Sequence, residues 1–400
     1  MNIFAAVLAA TLLVPGAPAA RADAAPPWTG SWSTSPQRET GPGFSDQTLR
    51  QLVHPTLGGS TIRIRLANTF GDEDVAFDAV SIARATSSGS PELVAGTSRR
   101  VTFHGRTRVT VATGTEIYSD PIDLSVAYGQ DLAVDLHVTR GGDAAAITGH
   151  DAAQGTQFVA SGRHVGDTGT AFTNTVNSWF WLDGVDVRSS GRTRGSIVAL
   201  GDSITDGAYT TWNGNDRWTD DLAARLQAAP GGSHLAVLNQ GIGGNEVLAD
   251  RTDCCGAGTS IAGLKRERND VRRQTGARYL ILADGINDIG YHADAASLID
   301  GLATIARRAH HDGIRVIGAT ITPYGCDSGC FDPEQEATRQ QVNAWIRSTP
   351  AFDGVADFDA AIRDPENPSQ VLPAYQADHL HPNITGQRAM ADAIDLSLFR

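Results

Sequence analysis

The stretch Ser196-Ile197-Val198-Ala199-Leu200-Gly201-Asp202-Ser203-Ile204-Thr205-Asp206-Gly207 decides the fold of the second half of this chain. Residues 196–200 are mostly apolar and do not alternate, the pattern of a parallel strand covered on both faces. Gly201 breaks the run, and Asp202 and Ser203 are residue types that cap helices. Strand, tight turn and helix start make the first unit of an α/β domain, with a serine hydroxyl at the carboxyl end of the strand. Taken alone, Gly-Asp-Ser reads as an ordinary capped turn, in which Asp202 and Asp206 hold the loop by hydrogen bonds to backbone.

The same grammar repeats downstream. Short apolar runs at 235–239, 279–283 and 315–320 read as further parallel strands. Between and after them, 218–228, 261–274, 295–311 and 333–347 carry helical periodicity. The pattern predicts a three-layer, doubly wound, flavodoxin-like α/β domain, and ligands in such sheets bind beyond the carboxyl ends of the strands.

Upstream the period changes. Thr61-Ile62-Arg63-Ile64-Arg65-Leu66 alternates strictly, and 109–111 and 132–138 repeat the period of two between Gly, Asp and Ser turns. Short alternating strands with frequent turns predict antiparallel sheets packed as an all-β sandwich. Within it, Trp179 and Trp181 read as core residues, with a sugar-stacking platform as the alternative. The polar link at 189–195 separates the halves, giving a leader at 1–22, a sandwich at 23–190 and an α/β domain at 191–400. Four hundred residues suit two cores, because single cores stop growing near 250 to 300 residues.

A net charge of −13, a pI near 5.2 and a single lysine, Lys265, argue against nucleic acid or an anionic membrane as the main partner. The apolar run 3–14, followed by Pro15, Gly16 and Ala20-Arg21-Ala22, reads as a signal peptide that ends near Ala22 and implies export. A retained anchor is its rival, although the run is short for a span, and no other segment is long enough. Export makes Cys254, Cys255, Cys326 and Cys330 disulfide candidates. Pairing of Cys326 with Cys330 and cross-pairing of the two Cys clusters both remain open, and a four-cysteine zinc site is a further alternative.

Chemistry-bearing residues fall where strands end. Ser203 follows the first strand, Gly244 the second and Asn287 the third, while Asp378 and His381 precede a final helix beginning near Thr385. A serine hydroxyl needs a base within hydrogen-bond reach and a group that orients that base. Asp378 lies three residues before His381, and on a helical turn residues three apart share a side, so its carboxylate can meet Nδ1 and leave Nε2 for Ser203. His379 competes for the base position, and Asp357 or Asp359 for the orienting acid. The N–H groups of Ser203 and Gly244 and the side-chain amide of Asn287 are available as oxyanion donors, with Gly243 the runner-up to Gly244. Trp212 and the 209–217 loop are placed to line a pocket, whereas Trp218 belongs inside.

Four segments, Gly201-Asp202-Ser203-Ile204-Thr205-Asp206-Gly207, Asn239-Gln240-Gly241-Ile242-Gly243-Gly244-Asn245, Gly285-Ile286-Asn287-Asp288 and Asp378-His379-Leu380-His381-Pro382, together resemble the sequence blocks of SGNH hydrolases, the GDSL family. The likeness covers roughly the last 200 residues. It implies Ser203 as nucleophile, Asp378 and His381 as the rest of a triad, Ser203, Gly244 and Asn287 as the oxyanion hole, and no metal or other cofactor. Asp284, before the third block, is an unusual acidic neighbour, its charge either outside the site or acting on the base. With Trp28-Thr29-Gly30-Ser31-Trp32 at its head, the chain resembles a two-domain secreted bacterial subgroup. The implied activity is hydrolysis of short-acyl or aromatic carbohydrate esters, the partner being a small-molecule or polysaccharide ester. Alternatives are a lipase or phospholipase, an acyltransferase, and a polysaccharide-binding protein with a vestigial hydrolase domain. Oligomeric state is not legible.

Overall fold

The computed structural model describes residues 27–40, 43–188, 193–229, 234–252, 258–326 and 329–400. The leader, most of the 189–195 link and the disulfide candidates Cys254 and Cys255 lie outside the described residues.

The second half builds a five-stranded parallel sheet from β1 (Gly195–Gly201), β2 (Leu235–Gly241), β3 (Ala277–Ala283), β4 (Arg315–Ala319) and β5 (Gly354–Ala356), in the order β2-β1-β3-β4-β5. This is the flavodoxin-like order, with β1 and β3 adjacent at the switch point where ligand crevices form. The apolar runs are buried as their lack of alternation predicts: Ile197, Val198, Ala199 and Leu200 have no exposed surface. Helices α1 (Ser203–Asp206), α2 (Trp218–Ala228), α3 (Gly263–Glu267), α4 (Ile286–Gly290), α5 (Ala295–His311), α6 (Pro333–Ser348), α7 (Phe358–Ile362) and α8 (Ile384–Asp392) complete the half. The helix expected over 261–274 is interrupted: α3 passes at once into a π-helical turn, Arg268–Arg272. That turn sits beside the buried Arg266–Asp270 pair, 2.9 Å apart, and π-turns of this kind mark places where side-chain demands override regular winding.

The first half is antiparallel throughout. One sheet runs Asn174–Val176, Gln157–Ser161, Gln47–Val53, Leu132–Arg140, Val75–Arg84, Arg99–Arg100, and a second runs Trp28–Ser33, Leu182–Arg188, Thr61–Ala67, Glu116–Tyr118. Their inner faces share a core that includes Ile62, Ile64, Leu132, Val134, Leu136 and both Trp179 and Trp181. Trp179 packs edge-on to Trp32 at 5.1 Å between ring centroids, and Trp181 against Phe44 and Phe77, so the pair fills the core and forms no platform.

The halves interlock. A two-residue strand of the α/β half, Gly258–Thr259, pairs with Gln37–Glu39 and so joins a small sheet with Ile147–His150 and Trp179–Phe180. Gly30 N donates to Thr275 O at 2.8 Å, and Thr56 Oγ1 donates to Val237 O at 2.8 Å. Cys326 is bonded to Cys330, which replaces both the cross-paired and the zinc-bound alternatives for these two residues. Among the described residues, no helix is long and apolar enough to cross a membrane.

Candidate active site

The turn after β1 is short because Asp202 caps α1: its Oδ1 accepts from Ile204 N at 2.8 Å, and Gly207 ends the single turn at φ 99°. Ser203 therefore opens a helix at the carboxyl edge of the sheet, half-buried. From the other end of the chain, the segment before α8 brings Asp378 and His381 over it. Ser203 Oγ lies 2.9 Å from His381 Nε2, and His381 Nδ1 lies 2.8 Å from Asp378 Oδ2. A proton on Nδ1 satisfies both contacts, the imidazole donating to the carboxylate and accepting from the hydroxyl.

The turn that carries this pair is not helical. His379 takes φ 71°, and Ala377 N donates to His381 O at 2.9 Å, which folds 377–381 tightly. Asp378 Oδ1 accepts from His381 N at 2.7 Å and from Leu380 N at 3.2 Å. Burial works to raise the Asp378 carboxyl, but the hydrogen bonds from the His381 N–H and imidazole outweigh it and hold it below the usual range. His379 is exposed and its own N–H goes to Gln376, so His381, not the runner-up, meets the serine. Asp357 and Asp359 are engaged by Arg347, Arg339 and Arg363 rather than by His381.

Gly244 is buried in the turn after β2, with φ 67°, where a Cβ would be strained. Ile242 N donates to Gly201 O at 3.1 Å, which ties this turn to the residue two before Ser203. Asn287, at the start of α4, donates from Nδ2 to Asn245 O at 2.8 Å, so it is joined to the residue following Gly244. Asp288 accepts from Val247 N at 2.8 Å and Leu248 N at 3.0 Å and fixes the same loop. All five residues singled out in the sequence thus sit on adjoining loops at one sheet edge. Trp218 is fully buried in α2, as the sequence predicts, and Trp212 is about half exposed.

Several contributors carry no sequence signal. Arg266, buried, donates to Gly201 O at 2.7 Å, Gln240 O at 2.8 Å, Asn245 Oδ1 at 2.9 Å and Ser35 Oγ at 3.0 Å, cross-linking the Ser203 turn, β2 and the sandwich. His150 of the sandwich lies 3.1 Å from Asp206 at the end of α1. Burial opposes a charge on His150, but the Asp206 carboxylate outweighs it and raises its pKa. Tyr209 lays its ring against His381, 5.4 Å between centroids. No periodicity or motif marks these three.

Asp284, the acidic neighbour of the third block, lies inside the fold. It is buried, Oδ1 accepts from Gly285 N at 2.9 Å, and Oδ2 meets no partner among the described residues. Burial first, then the neighbouring Asp202 and Asp288, raise it well above the usual carboxylate range. Asp202 is pushed up to about 7 and Asp288 to about 6, chiefly by burial.

Residues 199–389 match the family described as GDSL-like Lipase/Acylhydrolase. This segment is a GDSL-like hydrolase domain. Among solved structures, the chain is similar to a member of the lipolytic G-D-S-L family from Veillonella parvula, at 23% identity over 50% of this chain and 94% of that one, with a TM-score of 0.37. It is also similar to a GDSL-like lipase from Bacteroides thetaiotaomicron, at 19% identity over 51% and 87% of the two chains and a TM-score of 0.36. A carbohydrate acetylesterase from Sinorhizobium meliloti aligns at 15% identity over 50% and 95%, with a TM-score of 0.38. No curated protein matches the chain.

Proposed function

We propose that this GDSL-domain protein is a secreted serine esterase that cleaves short-acyl or aromatic esters of carbohydrates through an acyl-enzyme on Ser203. The observation that carries the reading is the unbroken relay from Ser203 Oγ to His381 Nε2 at 2.9 Å and from Nδ1 to Asp378 at 2.8 Å. His381 takes the serine proton as Oγ attacks the ester carbonyl, then returns it to the departing alcohol oxygen. Water repeats the sequence against the acyl-serine, its proton passing to His381 and on to Ser203 Oγ as the carboxylic acid leaves. The N–H groups of Ser203 and Gly244 and the Asn287 amide serve as oxyanion donors, each worth about 2.7 to 4 kcal/mol in the barrier. The mechanism calls on no cofactor.

The carbohydrate preference is supported by exposed aromatic rings beside the site. Tyr209, Trp212 and Tyr291 are each about half exposed, two in the segment after α1 and one directly after α4. Exposed aromatic rings suit sugar rings and aryl acyl groups. Secretion, with a signal peptide at 1–22, a sandwich at 23–190 and a catalytic domain at 191–400, is supported by the leader-like start and by the Cys326–Cys330 disulfide, since disulfides persist in oxidising compartments. A burst-phase assay with p-nitrophenyl acetate and longer acyl esters, beside acetylated xylan, tests the reading. Loss of turnover in Ser203→Ala and His381→Ala with folding intact supports it. Full activity in Ser203→Ala sinks it, and preference for long acyl chains moves the substrate to lipids.

A further inference from the structure

Tyr209 has φ 64°, in the left-handed region, where a bulky side chain is an outlier. Asn213 and Asn215, four and six residues on, are left-handed too, at φ 61° and 49°. Such conformations persist where the surroundings over-determine them, and they cluster at functional sites. The contacts that hold this segment come from the other half of the chain. Asn213 N donates to Gln154 O at 3.0 Å, Thr156 N donates to Asn213 Oδ1 at 2.7 Å, and Trp212 Nε1 donates to Thr156 Oγ1 at 2.8 Å. Arg217 Nη2 donates to Ala153 O at 2.8 Å, while its Nε reaches Asp206 O at 2.6 Å at the end of α1. Residues 153–156 of the sandwich thus grip the 212–217 stretch, which begins three residues after Tyr209.

That ring lies against the imidazole of His381 at 5.4 Å and 38° between planes. Its phenol faces Asp378, whose negative charge raises the phenol pKa above the ordinary tyrosine value. The ring lies against the base, and its phenol is close enough to the orienting carboxylate to feel its charge. Rotation of the imidazole away from Ser203 would have to displace the ring.

We infer that the β-sandwich completes the active site by clasping the 209–217 segment, which makes Tyr209 a positioning residue for the His381–Asp378 pair. This rests on the serine-esterase reading. A sandwich that merely adjoins the hydrolase domain would hold the segment without affecting the base. The clasp transmits any loosening of 153–156 to the imidazole.

The test uses the full chain with p-nitrophenyl acetate, comparing kcat, KM and the acid limb of the kcat/KM profile in five variants. Tyr209→Gly tolerates the positive φ and removes the ring; Tyr209→Phe removes the hydroxyl alone. Asn213→Gly and Thr156→Val undo the clasp at its two partners, and Thr156→Ser restores the hydroxyl. Misplacing a catalytic group by about 1 Å can cost roughly 100-fold. Tyr209→Gly is expected to lower kcat by roughly 10- to 100-fold with little change in KM. It should also move the acid limb to higher pH, because water then reaches the imidazole face. Asn213→Gly and Thr156→Val should shift both readouts the same way by a smaller factor, with Thr156→Ser like wild type. Tyr209→Phe, on an exposed ring, should give a loss between wild type and Tyr209→Gly, and it keeps the test decisive if a clasp variant fails to fold.

A Tyr209→Gly enzyme with wild-type kcat and acid limb, beside an inactive Ser203→Ala, overturns the clasp alone. So do clasp variants whose profiles superimpose on wild type while Tyr209→Gly does not. Activity surviving in Ser203→Ala overturns the parent reading and the clasp with it.

Discussion

Replacing Asp378 by Asn changes one atom and one charge, yet it should reverse the tautomer of His381. Asp378 Oδ1 accepts two backbone N–H groups, from His381 at 2.7 Å and Leu380 at 3.2 Å, while Oδ2 faces His381 Nδ1 at 2.8 Å. In Asp378→Asn the amide oxygen must remain with the two N–H donors, so the NH2 group turns toward Nδ1. The imidazole then has to accept there and carry its proton on Nε2, the atom 2.9 Å from Ser203 Oγ that receives the serine proton in the proposed reaction. Recovering the reactive tautomer requires flipping the amide, which sets its NH2 against two N–H donors and breaks both hydrogen bonds.

Leaving an N–H donor without its acceptor, here the neutral amide oxygen of the variant, costs about 1 to 3 kcal/mol each. Two of them make a barrier increment of about 2 to 6 kcal/mol, or roughly 30- to 10⁴-fold in kcat at 1.36 kcal/mol per tenfold. KM should stay near wild type, because nothing that touches bound ester has moved. The assay is steady-state turnover of p-nitrophenyl acetate at pH 7 to 8, with pre-steady-state acylation to confirm that attack by Ser203 is the slowed step. A kcat within tenfold of wild type would refute the tautomer reversal and leave Asp378 a turn-forming residue only.

Gly241→Ala would drive a Cβ into the backbone N of Asp206, so α1 must shift, and activity should fall by about 100-fold while the sheet survives by circular dichroism; unchanged kcat would count against this close approach. Arg266→Met removes a buried guanidinium from the Asp270 carboxylate and from four other oxygen acceptors, so urea denaturation should show a loss of about 3 to 5 kcal/mol. Asp284, Asp202 and Asp288 hold protons in the folded state that the unfolded chain sheds near pH 3.8, so their contribution to stability is present in full below that pH. It is lost as pH rises through about 7 for Asp202, about 6 for Asp288 and the raised range of Asp284. Asp284→Asn keeps one site neutral at every pH, and its urea midpoint should therefore decline less between about pH 4 and pH 8 than that of wild type; parallel declines would contradict the buried-acid reading.

Legibility follows the range of the interaction that fixes each residue. The longer strands of the parallel sheet and helices α2, α5 and α6 are legible within a few residues because burial on both faces leaves an unbroken apolar run, and one-sided burial leaves a 3.6 period. Gly354–Ala356 is three residues long and carries too short a run to announce itself as β5. Asp378 and His381 are readable as a pair because three residues of chain suffice to bring carboxylate and imidazole together. The choice of Gly244 over Gly243 rests on counting from Asn239; in the structure only Gly244 of the two has a positive φ. Tyr209 is readable only as the start of a pocket-lining loop: the rest of that loop is held by residues more than fifty positions earlier, and an exposed loop aromatic has no periodic partner.

The composition shift near residue 190 marks a change of fold class but not a physical seam. Arg266 lies in the α/β half, yet one of its donors is spent on Ser35, and its Asp270 partner accepts from the same serine at 2.9 Å. Gly30 leaves no room for a Cβ, which would meet Leu238 Cδ1 at 2.9 Å, so the first strand of the sandwich is laid directly on β2. Ala236 of β2 belongs to the sandwich core. Cutting the chain at the link would leave a buried guanidinium short of an acceptor and bare the edge of β2, the strand that runs into the Gly244 turn. An arrangement in which the Gly244 loop, the end of the Ser203 helix and the segment covering His381 all lean on the sandwich is one in which the first half determines the geometry of the second.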